Sequence, residues 1–297
     1  MKEDKIMCYD YTRLNNEIKM LTENYSDLIE CFSIGKSLMD KDIPCLKTGN
    51  GDKNLLLIGA HHGLEYLTSA FLMRFLSNYT VRRITGNKYF DNDVEKINDK
   101  ITLYIIPMLN PDGVDIAING LDITNPFHRH LISEVGIHSF NKVWQANARG
   151  VDINHNYDAD WQMVVESPSP SKYGGEYPES EPETKAAVNL IRNNNIDMLL
   201  TFHSQGKEIY YDFSGMTALK SEELAYKMAK ESGYAVMKPT GTATFGGCKD
   251  WFIKEFGREG FTIEIGMGKN PLPLSMLDEV YDENARIILT AMNELCG

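Results

Sequence analysis

The sequence predicts an α/β fold with a mixed central sheet flanked by helices. Three observations point there: short aliphatic runs stop at glycine or turn residues, segments of helical period lie between them, and no repeat or Pro/Gly-rich linker divides the 297 residues. In chain order, Leu14, Ile18 and Leu21 sit at helical spacing over Tyr11 to Tyr25, and a strand-like run follows at Leu28 to Ser33. Asn54 to Gly59 carries four consecutive aliphatics before a glycine, the pattern of a strand buried on both faces. From Glu65 onward, Leu67, Phe71, Leu72 and Phe75 mark a helix that packs back on it. Ile101 to Met108 reads as a strand stopped by a turn at Asn110-Pro111-Asp112-Gly113. Ser180-Glu181-Pro182-Glu183 opens a helix running to about Asn194, with Ser three residues before Glu and proline in the first turn. Ile196 to Phe202, Glu208 to Phe213 and Gly260 to Ile265 read as further strands, and a helix over about Ser275 to Leu295 closes the chain.

Composition excludes several functions. The 42 acidic against 30 basic side chains give a net charge of −12, opposite in sign to the basic face of a nucleic-acid binder. No run approaches the ~18 apolar residues of a membrane span, and residues 1–7 are polar and mixed in charge, without the apolar centre of a secretion signal. The five cysteines (Cys8, Cys31, Cys45, Cys248, Cys296) are scattered, with no CxxC pair, and read as reduced thiols. A soluble, cytoplasmic protein with no membrane and no nucleic-acid partner is the expectation.

Loops at strand ends are where function gathers in such sheets. His62 follows one apolar strand and His203 ends another. His62-Gly63-Leu64-Glu65 is an HxxE element in which a bend can aim imidazole and carboxylate at one point. Zinc takes His nitrogen and carboxylate oxygen at about 2.0–2.2 Å, and a catalytic site uses three protein ligands with a fourth position for water; His203 would supply the third. HxxE alone is common by chance, His61 beside it reads equally as a hydrogen-bonded loop residue, and a lone His203 reads as a core histidine. Glu264 shares with Thr262 the less apolar face of its strand, which periodicity leaves open between solvent and a cleft.

Independent support comes from the rest of the chain. Gly59 to Glu65, Asn110 to Gly113, Gly150-Val151-Asp152-Ile153-Asn154-His155-Asn156-Tyr157, Ser180 to Thr184, Phe202-His203-Ser204, Gly246 to Trp251 and Phe261-Thr262-Ile263-Glu264 occur in one order. In that order the chain resembles the zinc carboxypeptidase family typified by pancreatic carboxypeptidase A. The resemblance implies that His62, Glu65 and His203 ligate one zinc ion and that Glu264 is the general base. It also implies a single catalytic domain over 1–297, with a lead-in over about 1–50 and no wall-binding module.

The chain departs from the pancreatic pattern at informative places. An Asn-Arg pair that holds the substrate carboxylate becomes Asn154-His155, exchanging a permanent bidentate charge for an imidazole. A tyrosine of that pattern is missing, Thr242 falling near its place. The oxyanion arginine falls near Trp144-Gln145, and Gln145 is not an arginine; Arg149 is the candidate substitute. Lys249 occupies the place that sets side-chain preference and would favour an acidic or zwitterionic leaving residue. With Ser204-Gln205-Gly206 and Asn270-Pro271-Leu272-Pro273, these features resemble the bacterial branch that includes γ-D-glutamyl-L-diamino acid peptidases. The expected activity is hydrolysis of the γ-D-Glu to diaminopimelate bond of peptidoglycan stem peptides, on a muropeptide or short peptide. Alternatives are a carboxypeptidase or deacylase acting on ordinary peptides or small conjugates, and a catalytically silent binding protein. Retention of all four core residues argues against the last.

Overall fold

A computed structural model of the chain describes residues 8–135, 140–239, 241 and 245–297. The N-terminal stretch 1–7 and Thr242 lie outside those residues. The strands are β1 (Glu30–Lys36), β2 (Asp42–Thr48), β3 (Lys53–Ile58), β4 (Ile101–Ile106), β5 (Met198–His203), β6 (Glu208–Tyr210), β7 (Ala235–Met237) and β8 (Glu259–Glu264). They form one sheet in the order β1-β2-β4-β3-β5-β8-β6-β7. The central strands β4, β3, β5 and β8 run parallel, and β2 and β6 pair antiparallel on either side of them. The helices used below are α1 (Tyr11–Asn24), α2 (Leu67–Thr85), α3 (Val94–Lys100), α4 (Pro111–Asn119), α5 (Pro126–Val135), α6 (Pro182–Asn193), α7 (Ser221–Ser232), α8 (Cys248–Phe256) and α9 (Leu277–Cys296).

Side chains alternate across the sheet with period two. Leu55, Leu57, Leu200, Phe202, Phe261 and Ile263 pack on one face with Phe71 and Phe75 of α2 and Ile288 and Met292 of α9. Leu56, Ile58 and Leu199 pack on the other with Leu190 of α6 and Trp251 of α8. Full burial of each such side chain is worth about 1.5–3 kcal/mol. A register slip by one residue would exchange the two faces, so the apolar runs fix which residues end each strand in the cleft. Thr262 and Glu264 therefore stand on the α8 face, as do His203, Glu208 and Tyr210 by the same alternation.

The structure departs from the sequence reading at four elements. Asn110-Pro111-Asp112-Gly113 does not turn the chain back; the Asn110 side chain accepts from the Gly113 N–H and proline occupies the first turn, so it starts α4. Strand β2 carries Pro44, whose missing N–H hides a strand from pattern reading, and the β1–β2 register shifts beside it. The strand expected over Glu208 to Phe213 ends at Tyr210, and the helix expected from Ser180 is capped at Glu181.

Candidate active site

Strands β3 and β5 are neighbours, yet β3 connects onward to β4 on its other side. Such a switch in direction opens a crevice beyond the carboxyl ends of the strands. His62 enters it from the loop after β3, Glu65 from the following short turn Gly63–Glu65, and His203 from the last residue of β5. His62 Nδ1 lies 3.0 Å from Glu65 Oε1, and His203 Nδ1 lies 3.1 Å from Glu65 Oε2. The two Nδ1 atoms are 3.3 Å apart. Among the described residues this is the group of His, Cys, Asp and Glu whose donor atoms converge, all within 4.8 Å.

Two imidazole nitrogens facing each other across so short a gap, with a carboxylate beside them, suit a shared cation better than a shared proton. The ionisation states agree. Burial pushes the His203 pKa down, and burial with the neighbouring His203 and His62 holds His61 well below the usual histidine range. Burial would raise the Glu65 pKa, but His62 and His203 outweigh it and keep the carboxyl low. Burial likewise opposes charge on His62, yet Glu65 and Asp152 reverse the sign. That net attraction for a proton is what a bound cation would replace. His62 Nε2 points 3.2 Å to Asp152 Oδ1, the carboxylate–histidine pairing that orients a metal-binding imidazole. The donor set and its support thus fit zinc. His61 is not part of it: its Nε2 lies 3.2 Å from the Tyr157 hydroxyl and its ring stacks on His203.

Strand register brings Glu264 beside this group, since Glu264 is paired with His203 across β8 and β5. Burial first, and the Glu65 carboxylate second, push its pKa well above the usual range, which makes it a better proton acceptor. The cleft around it measures about 560 Å³ and is lined by His62, Glu65, His203, Glu264, Asn154, His155 and Lys249, among others. A larger groove of about 760 Å³ between α1 and α2, lined by Arg13, Met20 and Arg74, holds none of these groups. Chemistry, not volume, selects the site.

The profile of the zinc carboxypeptidases matches residues 14–287. The chain belongs to the zinc carboxypeptidase family. As a member of that family it is a metallopeptidase-type hydrolase, and the family's metal is zinc. It is 33% identical over 288 residues to γ-D-glutamyl-L-diamino acid endopeptidase 1 of Lysinibacillus sphaericus, covering 96% of this chain and 72% of that one. Its fold is similar to thrombin activatable fibrinolysis inhibitor, with a TM-score of 0.79 at 22% identity over 97% of this chain and 74% of that one. It is also similar to the murein-tripeptide amidase of Escherichia coli O157, with a TM-score of 0.54 at 19% identity over 90% and 92% of the two chains.

The remaining candidate residues fall in two groups. Asn154 and His155 sit in a short turn, Ile153–His155, whose first N–H groups are capped by Asp152. Asn154 Oδ1 accepts from the Cys248 N–H at 3.1 Å, and His155 Nδ1 donates to the Phe245 carbonyl at 2.9 Å, with its Nε2 4.0 Å from Asp152 Oδ2. Lys249 is buried on the cleft floor; its Nζ donates to the Asp212 carbonyl at 2.6 Å and pairs with Asp250. Arg149 lies apart from these. It does not line the cleft, and its half-exposed guanidinium pairs with Glu181 at 3.1 Å. Gln145 lines the cleft instead, its carbonyl accepting from the Gly63 N–H. Asp152 and Glu208 were not singled out from sequence. The capping position before Asn154 was a readable signal for Asp152; Glu208 had none short of strand register.

Proposed function

We propose that this chain hydrolyses the γ-D-Glu to diaminopimelate amide of peptidoglycan stem peptides, with one zinc ion held by His62, Glu65 and His203. Bound there, zinc supplies Lewis-acid polarisation of a carbonyl oxygen and lowers the pKa of water toward ~7. Glu264 accepts the proton of the attacking water and passes it to the departing amine as the C–N bond breaks. Gln145 replaces an arginine at the developing oxyanion with a neutral amide donor. Asn154 and His155 take the carboxylate beside the cleaved bond, a weaker hold than a guanidinium offers. The 33% identity to a γ-D-glutamyl-L-diamino acid endopeptidase supports the bond assignment.

One observation carries the reading: the cleft floor holds a buried Lys249–Asp250 ion pair where an apolar leaving residue would need an apolar wall. Burying that pair is costly unless a charged substrate end uses it. The cysteines stand as free thiols, which suits a reducing compartment, and we include a cytoplasmic setting in the proposal. Incubating the protein with L-Ala-γ-D-Glu-diaminopimelate, with and without a chelator, tests it. Chelator-sensitive release of diaminopimelate is expected; release confined to hippuryl-type peptides would instead support an ordinary carboxypeptidase, which the retained Asn154 would serve.

A further inference from the structure

We propose that Glu208 is a specificity-determining residue that takes the side-chain ammonium of the leaving diamino acid, beside Lys249, which takes the carboxylate on the same carbon. This rests on the diamino-acid reading above. Strand β6 pairs antiparallel with β8, and Glu208 lies opposite Glu264, which in turn lies opposite His203. Directly paired residues share a sheet face. His203, Glu264 and Glu208 therefore form one row across three strands, with Thr201, Thr262 and Tyr210 in a parallel row two residues away. Neighbouring strands are about 4.8 Å apart, so Glu208 stands roughly 10 Å from the metal end of its row. An extended diamino-acid side chain reaches roughly 7 Å from the amide nitrogen to its ammonium, given bonds of about 1.5 Å. The carboxylate of Glu208 is within that reach once its own side-chain length is added.

Its hydrogen bonding leaves it available. The Tyr210 hydroxyl donates to Glu208 Oε2 at 2.6 Å, which fixes the carboxylate in the cleft wall. Among the described residues no cation pairs with it, although it stands beside Glu264, where a second negative charge is unfavourable. A substrate ammonium would relieve that repulsion. Lys249 has three N–H donors, of which Asp212 and Asp250 engage two, so one remains for a substrate carboxylate. The two residues divide the labour: Glu208 recognises what diaminopimelate and lysine share, and Lys249 what only diaminopimelate has.

The test is kcat/KM of the wild type and of Glu208→Gln, which keeps an acceptor for Tyr210. Four leaving residues are compared: diaminopimelate, lysine, 2-aminopimelate and norleucine, each on a γ-D-glutamyl and on a benzoylglycyl acyl group. The wild type should prefer lysine to norleucine. The variant's loss, carried by KM, should be about tenfold or more greater for diaminopimelate and lysine than for 2-aminopimelate and norleucine. A loss equal on all four, or none, overturns the role of Glu208. Cleavage confined to the benzoylglycyl series with the lysine preference intact supports Glu208 and overturns the γ-D-glutamyl reading alone. If neither series is cleaved, calorimetry with free lysine decides: weaker binding by Glu208→Gln supports the role, and equal binding overturns it.

Discussion

Two clusters of buried carboxylates in this molecule do opposite things. At the ends of β3 and β5, Glu65 and Asp152 face His62 and His203, and the donor atoms converge on one point. Behind the cleft, Asp112, Glu181 and Glu183 are equally buried, but each carboxylate is met by a donor that stays. Asp112 accepts from the Met39 N–H and pairs with Lys41, Glu183 accepts from the Leu38 N–H, and Asn147 bridges Glu181 and Glu183. The first cluster aims three metal-ligating side chains at one point; the second closes on itself. Convergence of metal-ligating atoms on one point, rather than the number of acidic groups, separates a metal centre from a structural brace.

The largest expected effect breaks the first cluster's chemistry while leaving its metal affinity. Glu264→Ala should lower kcat by about 10²–10⁴ with zinc retained on elemental analysis, whereas His203→Ala should lose the zinc as well. Next comes Asp152→Asn, which weakens the support of His62 Nε2 without emptying the position. Zinc affinity should fall about 10- to 100-fold in a chelator competition, because the asparagine lacks the charge that polarises the imidazole. An unchanged affinity would mean that His62 needs no orienting partner.

How far the two clusters could be read from sequence follows from the range of the interactions. His62 and Glu65 are three residues apart, and His203 and Glu264 close apolar strands, so local spacing and periodicity made them candidates and the family resemblance assigned their roles. Lys249 was legible as a position, but its burial depends on the Asp212 carbonyl, which tertiary packing brings from another loop. Glu208 depends on antiparallel register between β6 and β8, which alternation within either strand does not encode. Arg149 shows the converse case. It lies four residues from Gln145 in sequence, yet Asn147 caps the turn between them and directs Arg149 to Glu181.

The second cluster should reveal itself through pH. Burial first, then the charges of Asp112 and Glu181, raise the Glu183 pKa from 4.5 to about 7. A carboxyl that holds its proton more tightly when folded stabilises the fold below the unfolded pKa, and that contribution is lost as pH rises through the folded one. Wild-type stability should thus fall between about pH 4.5 and 7, by up to about 3 kcal/mol from this group. Glu183→Gln, neutral throughout, should flatten that part of the profile in urea unfolding at pH 5 and pH 8. Equal slopes for the two proteins would show that Glu183 is already ionised at pH 5.

The smallest expected effect is the sharpest test of the boundary between the clusters. Arg149 pairs with Glu181, but its side chain is 51% exposed, so water screens the attraction and the pair is worth about 1 kcal/mol at most. Glu181 keeps its bonds from Asn147 and Ser180 when the guanidinium is removed, so no buried acceptor is stranded. Arg149→Ala should therefore change kcat/KM by less than about twofold and stability by no more than about 1 kcal/mol, measured on the same preparation. An oxyanion donor would behave differently, since removing one costs about 10²–10³ in kcat. A loss of that size would bring Arg149 into the cleft in the reacting state and merge the brace with the active site; a small one leaves Gln145 as the group facing the developing charge.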